Sequence, residues 1–240
     1  MKTEILTSAS ALFLDFDGTL VGIQDDPDAV HLPQGGAELL LELAAALGGA
    51  VALVSGRDVR DLSARAPTEL WRAGNHGDII LPPGQSEPAS IQTPPGGLVD
   101  AMQALADQHE GARLEQKARV LTIHTRACPE NEEAVAAAAG DLAAQFGGYK
   151  VQRGKDVTEL KPEGVNKGEA IAHLLQLAPF QGRTPLFIGD DTTDEDGFLT
   201  SIHRGGSAIK VGPGKTLAPH RVADPEAVWT FLKGALHDLT

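Results

Sequence analysis

The stretch "LFLDFDGTL", Leu12 to Leu20, sets an apolar run against two aspartates one residue apart, with a glycine and a threonine directly behind them. Carboxylates at the end of a core strand are costly unless a partner or a ligand takes them up. In an extended chain, residues i and i+2 face the same way, so Asp15 and Asp17 can project toward one pocket. Gly18 allows a sharp turn after them. Taken alone, the pair also fits a carboxylate-capped turn, because Asp-Gly is a common turn dipeptide.

Two further runs share this grammar. "AVALVSGR" reaches Ser55 and "TPLFIGDD" reaches Asp190. Each run is too short for a helix and apolar on both faces, as a strand buried in a parallel sheet is. Helical patterns separate them. "GAELLLELAAALGG" repeats its apolar residues at 39, 40, 43 and 47 and stops at a glycine pair. "NKGEAIAHLLQLA" opens at Asn166, a good N-cap, and repeats at 171, 174, 175 and 178. Strands alternating with helices predict βαβ units and an α/β fold with a parallel sheet. Ligands of such sheets bind beyond the carboxyl ends of the strands, where these polar residues fall.

The middle of the chain has a different pattern. "LPPGQSEPASIQTPPGG" is rich in Pro and Gly and reads as a connection. An amphipathic helix follows, with 98, 99, 102, 105 and 106 on one stripe. "ARLEQKARVLTIHTR" then alternates with period two, as a half-buried hairpin does. A second helix, "PENEEAVAAAAGDLAAQF", begins with Pro129 and an acidic turn, and "YKVQRGKDVTELKP" forms a second hairpin turning at Gly154. The expectation is a core of residues 1–87 and 162–240 carrying an inserted α+β module of residues 88–161.

Composition narrows the function. A net charge of -13 over 240 residues argues against nucleic acid as a partner. An anionic substrate would need a locally positive pocket or a metal ion. The single cysteine, Cys128, excludes an intrachain disulfide and reads as an inert residue before Pro129. "MKTEILTSAS" lacks the apolar stretch of a secretory signal, and no window has about 18 uninterrupted apolar residues. The expectation is a cytoplasmic protein with no membrane span.

Individually the remaining polar residues have bland readings. Ser55 could donate to a phosphate oxygen or simply cap the helix of "SGRDV". Lys167 stands at a helix start that attracts anions, or is an ordinary solvated lysine. "GDDTTDED" supplies Asp190, Asp191 and Asp194. So many carboxylates repel one another unless a proton or a cation intervenes, and Mg²⁺ is the natural hard cation. An acidic helix start would explain Asp194, Glu195 and Asp196 but not Asp190 on the strand end.

In order, "DFDGTL", "SGR", the lysine of "NKG" and "GDDTTDED" resemble the four motifs of the haloacid dehalogenase-like superfamily of phosphohydrolases. The resemblance implies a Rossmann-like core with a C2-type cap inserted between the second and third motifs. It implies that Asp15 is the nucleophile of an aspartyl-phosphate mechanism and Asp17 the general acid and base. Ser55 and Lys167 would offset the charge of the phosphate. Mg²⁺ would be held by the Asp15 carboxylate, the Asp17 backbone carbonyl and Asp190, with Asp191 or Asp194 fixing ligand waters.

A narrower resemblance runs through nearly the whole chain. "GNHG" at Gly74–Gly77, "LEQK" at Glu115 and Lys117, "IHTR" at His124 and Arg126, and "TEL" at Glu159 resemble the trehalose-6-phosphate phosphatases. It implies that Glu115, Lys117 and Glu159 bind the distal glucose of a sugar phosphate, with Asn75, His76 and Gly77 lining the core side. Arg57, His124 and Arg126 join the candidate substrate-binding set. Period two puts Glu115 with Lys117, and His124 with Arg126, on common strand faces. The same spacing also fits a surface ion pair between Glu115 and Lys117. Pro and Gly near 83–95 and 160–165 would serve as hinges for the cap. The alternatives are a phosphatase of another sugar phosphate such as sucrose phosphate, a phosphotransferase, or a non-catalytic sugar-phosphate sensor. A trehalose-6-phosphate synthase is the expected functional companion.

Overall fold

The computed structural model describes residues 5–24, 26, 29–154 and 156–240. Residues 1–4 of the N-terminal stretch, and Lys155 in the turn of the second predicted hairpin, lie outside the described residues. In chain order the elements begin with β1 (Ser10–Leu14), α1 (Gly36–Ala46), β2 (Val51–Val54), α2 (Val59–Arg65), β3 (Trp71–Gly74) and β4 (Ile79–Leu81). Next come α3 (Gly96–Asp107), β5 (Arg113–Lys117), β6 (Val120–His124), α4 (Glu132–Phe146), β7 (Tyr149–Gly154) and β8 (Val157–Pro162). The chain closes with α5 (Lys167–Leu174), β9 (Thr184–Gly189), α6 (Glu195–His203), β10 (Ser207–Val211), β11 (His220–Val222) and α7 (Pro225–Leu239).

Contacts divide the chain into two compact units, Met1–Pro88 with Asn166–Thr240, and Ala89–Val165. The first carries a seven-stranded sheet in the order β11-β10-β9-β1-β2-β3-β4. Every pair is parallel except β3 with β4. The three apolar runs of the sequence are its neighbouring central strands β9, β1 and β2. Leu14 lies level with Ile188 on one side and Leu53 on the other. The strand order reverses about β1, and a ligand crevice is expected at such a point.

Unbroken apolar strands are what a sheet covered on both faces requires. Leu12, Phe13 and Leu14 are fully buried, as are Leu53, Phe187 and Ile188. Leu39, Leu40 and Leu43 of α1 turn inward at the predicted spacing. Asn166 caps α5, its Oδ1 accepting from Glu169 N at 2.9 Å. The α5 stripe stops sooner than its periodicity predicts. The helix ends at Leu174 and Ala178 is exposed. Ala178 directly precedes Pro179, and the residue before a proline is pushed out of the helical region.

The second unit holds a four-stranded antiparallel sheet, β5-β6-β8-β7, with α3 and α4. One sheet face contributes Leu114, Leu121, Ile123, Val151 and Leu160 to a separate apolar cluster with Leu98, Met102 and Val135 of the helices. The other face carries the polar residues of the alternating pattern.

No helix among the described residues is long and apolar enough to cross a membrane.

Arg72 is the largest fully buried side chain. It stands in β3, level with Leu53 and Leu81, and its guanidinium donates to the carbonyls of Pro67 (3.3 Å), Pro82 (3.5 Å) and Gln85. It ties the segments flanking β3 and β4 to the strand that leads into Asn75. Arg72→Leu would strand these carbonyls. The expected loss of unfolding free energy is about 2–4 kcal/mol, read by urea denaturation. A loss below about 1 kcal/mol would show that the carbonyls find other partners.

Candidate active site

The carboxyl edge of β1 and β9 gathers the chemistry. The amide of Asp15 donates to Ile188 O at 2.9 Å, which fixes Asp15 as the first residue past the strand. Lys167, the first residue of α5, reaches this edge with a buried ammonium. Its Nζ donates to Asp15 Oδ1 at 2.7 Å and to Asp194 Oδ1 at 2.6 Å. Thr19 Oγ1 donates to the other Asp15 oxygen at 3.2 Å. Asp194 Oδ2 accepts from the amides of Asp190 and Asp191, both at 2.9 Å. Two glycines allow this crowding. A Cβ on Gly18, whose φ is +76°, would lie 2.1 Å from Asp190 Oδ2. A Cβ on Gly189 would lie 2.3 Å from Asp194 Cγ.

Asp15, Asp190 and Asp194 each offer a carboxylate oxygen to one point, the three atoms lying within 4.8 Å of one another. Among the described residues only one ammonium, that of Lys167, pairs with them. Burial raises the Asp15 carboxyl well above its ordinary range against the pull of Lys167, and Asp194 and Asp190 push the same way. Burial also raises Asp190, to about 6, with Asp194 adding to it. Burial alone would lower Lys167; Asp15 and Asp194 outweigh it and hold the ammonium above the ordinary lysine value. Asp190 Oδ1 is buried without a hydrogen-bond partner among the described residues. The cluster is short of positive charge and has a hard oxygen donor to spare. It could hold a metal ion, and a divalent cation preferring oxygen ligands fits it.

Asp191 lies outside this cluster. It is exposed and caps the Thr192–Asp194 turn. Asp194 is inside it, but both its oxygens are already engaged, so it acts first as the brace of the loop. The Asp17 side chain turns elsewhere. Arg57 grips it with a bidentate fork, Nε to Oδ2 and Nη2 to Oδ1, each 2.6 Å. Arg57 also donates from Nη1 to Asp61 Oδ2 at 2.7 Å, and its guanidinium carbon lies 5.6 Å from the centroid of the Phe16 ring.

Ser55 directly follows β2, its amide bonded to Ala73 O at 2.8 Å. Its hydroxyl accepts from Arg57 N at 3.1 Å. It does not cap α2. Asp58 does, accepting from Arg60 N at 2.9 Å. The cap falls three residues later than "SGRDV" suggested because the chain turns at Gly56 and Arg57 before the helix begins. Asn75, His76 and Gly77 form a short turn after β3 with φ of 54°, 59° and 96°. Asn75 accepts from Val59 N at 3.0 Å through Oδ1, and its amide donates to Arg57 O at 2.7 Å. His76 N donates to Ser55 O at 3.0 Å, and its ring packs on Gly56, where a Cβ would lie 2.7 Å from Cε1. Both residues are buried and hold the Ser55–Arg57 loop in place.

In the second unit Glu115 is paired with Thr122, and Thr122 with Glu159, so the two glutamates share a row two strands apart, about 10 Å. Glu115 Oε2 meets His124 Nε2 at 2.7 Å, and Oε1 lies 3.4 Å from Lys117 Nζ. The His124 hydrogen bond, with Lys117 behind it, lowers the Glu115 carboxyl to about 2 against burial. The surface ion pair of Glu115 and Lys117 is present. Arg126 is not on a strand face with His124. β6 ends at His124, and Arg126 is exposed beyond it.

The contacts not foreseen from sequence include Thr19 on Asp15, Arg57 on Asp17, and His124 on Glu115. A hydroxyl four residues after Asp15, with a glycine between, could have suggested the first. The second joins residues 40 apart through a loop whose course no local pattern fixes.

The family model described as Trehalose-phosphatase matches residues 13–222. The trehalose-6-phosphate phosphatase of Escherichia coli is 38% identical over 244 residues, covering 97% of this chain and 88% of that protein. The probable trehalose-phosphate phosphatase of Sinorhizobium fredii is 36% identical over 207 residues, covering 85% of this chain and 78% of that one. Among solved structures, trehalose-6-phosphate phosphatase of Aspergillus fumigatus (crystal form 3) aligns with a TM-score of 0.71 at 28% identity, covering 96% of this chain and 93% of that one. A haloacid dehalogenase-like hydrolase from Bacteroides thetaiotaomicron, at 17% identity and a TM-score of 0.69 over 97% of this chain and 100% of its own, shares the fold. The chain belongs to the trehalose-phosphatase family.

Proposed function

We propose that this protein hydrolyses trehalose 6-phosphate to trehalose and phosphate through an aspartyl-phosphate on Asp15. The observation that carries the reading is the Asp15–Lys167–Asp194 cluster at the strand-order reversal, in a chain of this family. Lys167 and Thr19 fix the two Asp15 oxygens. An Asp15 oxygen attacks phosphorus, the bond from phosphorus to the sugar oxygen breaks, and the leaving oxygen takes a proton from Asp17. Water then attacks the phosphorus of the aspartyl-phosphate, its proton passes to Asp17, and the acyl oxygen–phosphorus bond breaks to restore Asp15 and release phosphate. Both oxygens of Asp17 accept from Arg57 in this structure, and the second lone pair of each is the site for the proton it would give and take. Ser55 and Lys167 offer donors to the phosphoryl oxygens.

Asp15 and Asp190 would hold Mg²⁺, and Asp194 would orient Asp190. When bound, the ion supplies positive charge against the carboxylate and phosphate that must approach each other. The inserted unit would act as a C2-type cap over residues Ala89–Val165, with Glu115, Lys117 and Glu159 reading the distal glucose. Sugar hydroxyls both donate and accept, which suits a mixed acidic and basic lining. The placement of Asn75 and His76 supports an indirect role, through the loop that carries Ser55 and Arg57. A synthase making the phosphorylated disaccharide would be the functional companion, in the cytoplasm.

The direct test is phosphate release across a panel of sugar phosphates, with and without Mg²⁺. Trehalose 6-phosphate should lead the panel, and chelation should abolish turnover. A preference for sucrose phosphate would move the assignment to that alternative. No release from any ester would leave a sensor.

The cap reading has its own test. Charge-assisted hydrogen bonds contribute roughly 1.5–3 kcal/mol, so losing Glu115 or Glu159 should cut kcat/KM for trehalose 6-phosphate by about 10- to 150-fold. p-Nitrophenyl phosphate has no distal ring, and its hydrolysis should be nearly indifferent. An unchanged ratio of the two substrates in Glu115→Ala and Glu159→Ala would remove both residues from the site.

The charge imbalance predicts a pH dependence. A carboxyl raised on folding stabilises the fold while it is protonated. For Asp190 that contribution is whole below about pH 4 and lost as pH rises through about 6. Mg²⁺ would replace the missing positive charge. The rise in Tm on adding saturating Mg²⁺ should be small near about pH 5 and larger near about pH 7.5. A shift that shrinks with rising pH would contradict the proposed metal ligands.

A further inference from the structure

A second buried lysine stands beside this cluster. Lys210 lies in β10, level with Gly189 of the neighbouring β9, and is only 5% exposed. Among the described residues it forms no ion pair. Its Nζ instead donates to two backbone carbonyls, Asp190 O and Val211 O, the latter at 2.8 Å. An ammonium taken out of water and left without a counterion is costly, so its burial needs a reason.

The first of those carbonyls supplies one. Asp190 is the first residue past β9, where ladder hydrogen bonds no longer hold the backbone. Its amide is taken by Asp194 Oδ2 at 2.9 Å and its carbonyl by Lys210. Both backbone polar groups of Asp190 are therefore tied to side chains from other elements. This sets the direction of its Cα–Cβ bond, and the carboxylate is laid against Gly18 with Oδ1 buried and, among the described residues, unpartnered. Asp194 is part of the carboxylate cluster; Lys210 is not.

We propose that Lys210 is a positioning residue that holds the Asp190 carboxylate in the direction from which it ligates the divalent cation, without touching the cation itself. This rests on the reading of Asp190 as a metal ligand. Charge and position make opposite predictions. An ammonium near a cation site repels the cation, so if only its charge mattered, removing it would tighten Mg²⁺ binding. If it holds Asp190 in place, removing it loosens binding, as loss of groups that orient metal ligands does by about 10- to 100-fold.

The test is calorimetric titration of Mg²⁺ into wild type, Lys210→Met and Lys210→Arg, with thermal melts in the absence of metal. Met matches the length and apolar stem of lysine but donates nothing; Arg keeps both charge and donors. The expected result is a Mg²⁺ Kd raised about tenfold or more in Lys210→Met and restored to within about threefold of wild type in Lys210→Arg. A merely structural lysine would lower the metal-free Tm of Lys210→Met and leave Kd unchanged; that result, or tighter binding, overturns the proposal. If Lys210→Met does not fold, Lys210→Leu, which also donates nothing, is read against the same thresholds. Absence of Mg²⁺ binding to wild type would overturn the metal reading itself, and this proposal with it, whereas wild-type binding with an unchanged Met variant overturns the proposal alone.

Discussion

One ammonium group joins the parts of this site. Lys167 Nζ bonds Asp15 at the end of β1 and Asp194 in the loop after β9, and the lysine and Asp15 stand 152 residues apart in the chain. Burying these charges is not a source of stability in itself, because desolvation offsets most of the attraction. The fold is held by the apolar strands beneath, Leu12 to Leu14 and Leu186 to Ile188, and by the helices that cover them. What the ion pairs determine is where the carboxylates point. Two negative groups share one positive one, and Asp190 adds a third charge alongside. The folded chain thus carries an electrostatic deficit, seen in the raised carboxyls of Asp15 and Asp190. A cation or a phosphate-bearing transition state alters that deficit more than it alters the packing, and preorganised charge of this kind is how such sites accelerate phosphoryl transfer.

The two aspartates of "DFDG" are treated differently by their surroundings. Asp15 is buried and faces Lys167 and Thr19. Asp17 is partly exposed and held by the Arg57 fork, which in turn leans on Asp61 and Phe16. One carboxylate is immobilised where an attacking oxygen would be needed. The other is held at the rim by a partner it can exchange. A nucleophile requires fixed geometry, whereas a group that first gives and then takes a proton has to move between two states, and the two environments match that division of work.

Much of this was legible in the sequence, for a physical reason. Strands covered on both faces must be apolar throughout, so β1, β2 and β9 announced themselves and so did the polar residues at their ends. Asn166 was readable as a cap because capping is a local rule. The antiparallel unit was readable from its period-two pattern. What was not legible depends on loops closing over distance. Arg57 could be placed near the site but not on Asp17. Asn75 and His76 can be read from sequence as lining the core side of a site, but not as buttressing the Ser55–Arg57 loop, which they do through left-handed backbone that no pattern announces. Asp194 could be counted among acidic residues, but not assigned as the brace that organises Asp190 and Asp191. The apolar spacing runs on to Ala178, whereas the helix stops at Leu174, before Pro179 is reached.

A carboxylate oxygen of Asp15 is the atom that bonds to phosphorus in the proposed reaction. The measurement that tests this most directly is acid quenching of the enzyme during turnover of trehalose 6-phosphate labelled in its phosphate, followed by digestion and mass analysis of the peptide containing Asp15. The expected result is label on that peptide, stable in acid, released by hydroxylamine as an acyl phosphate is, and absent from the Asp15→Asn variant. Label on a different residue, or an Asp15→Asn enzyme that turns over at the wild-type rate without having deamidated, would contradict it.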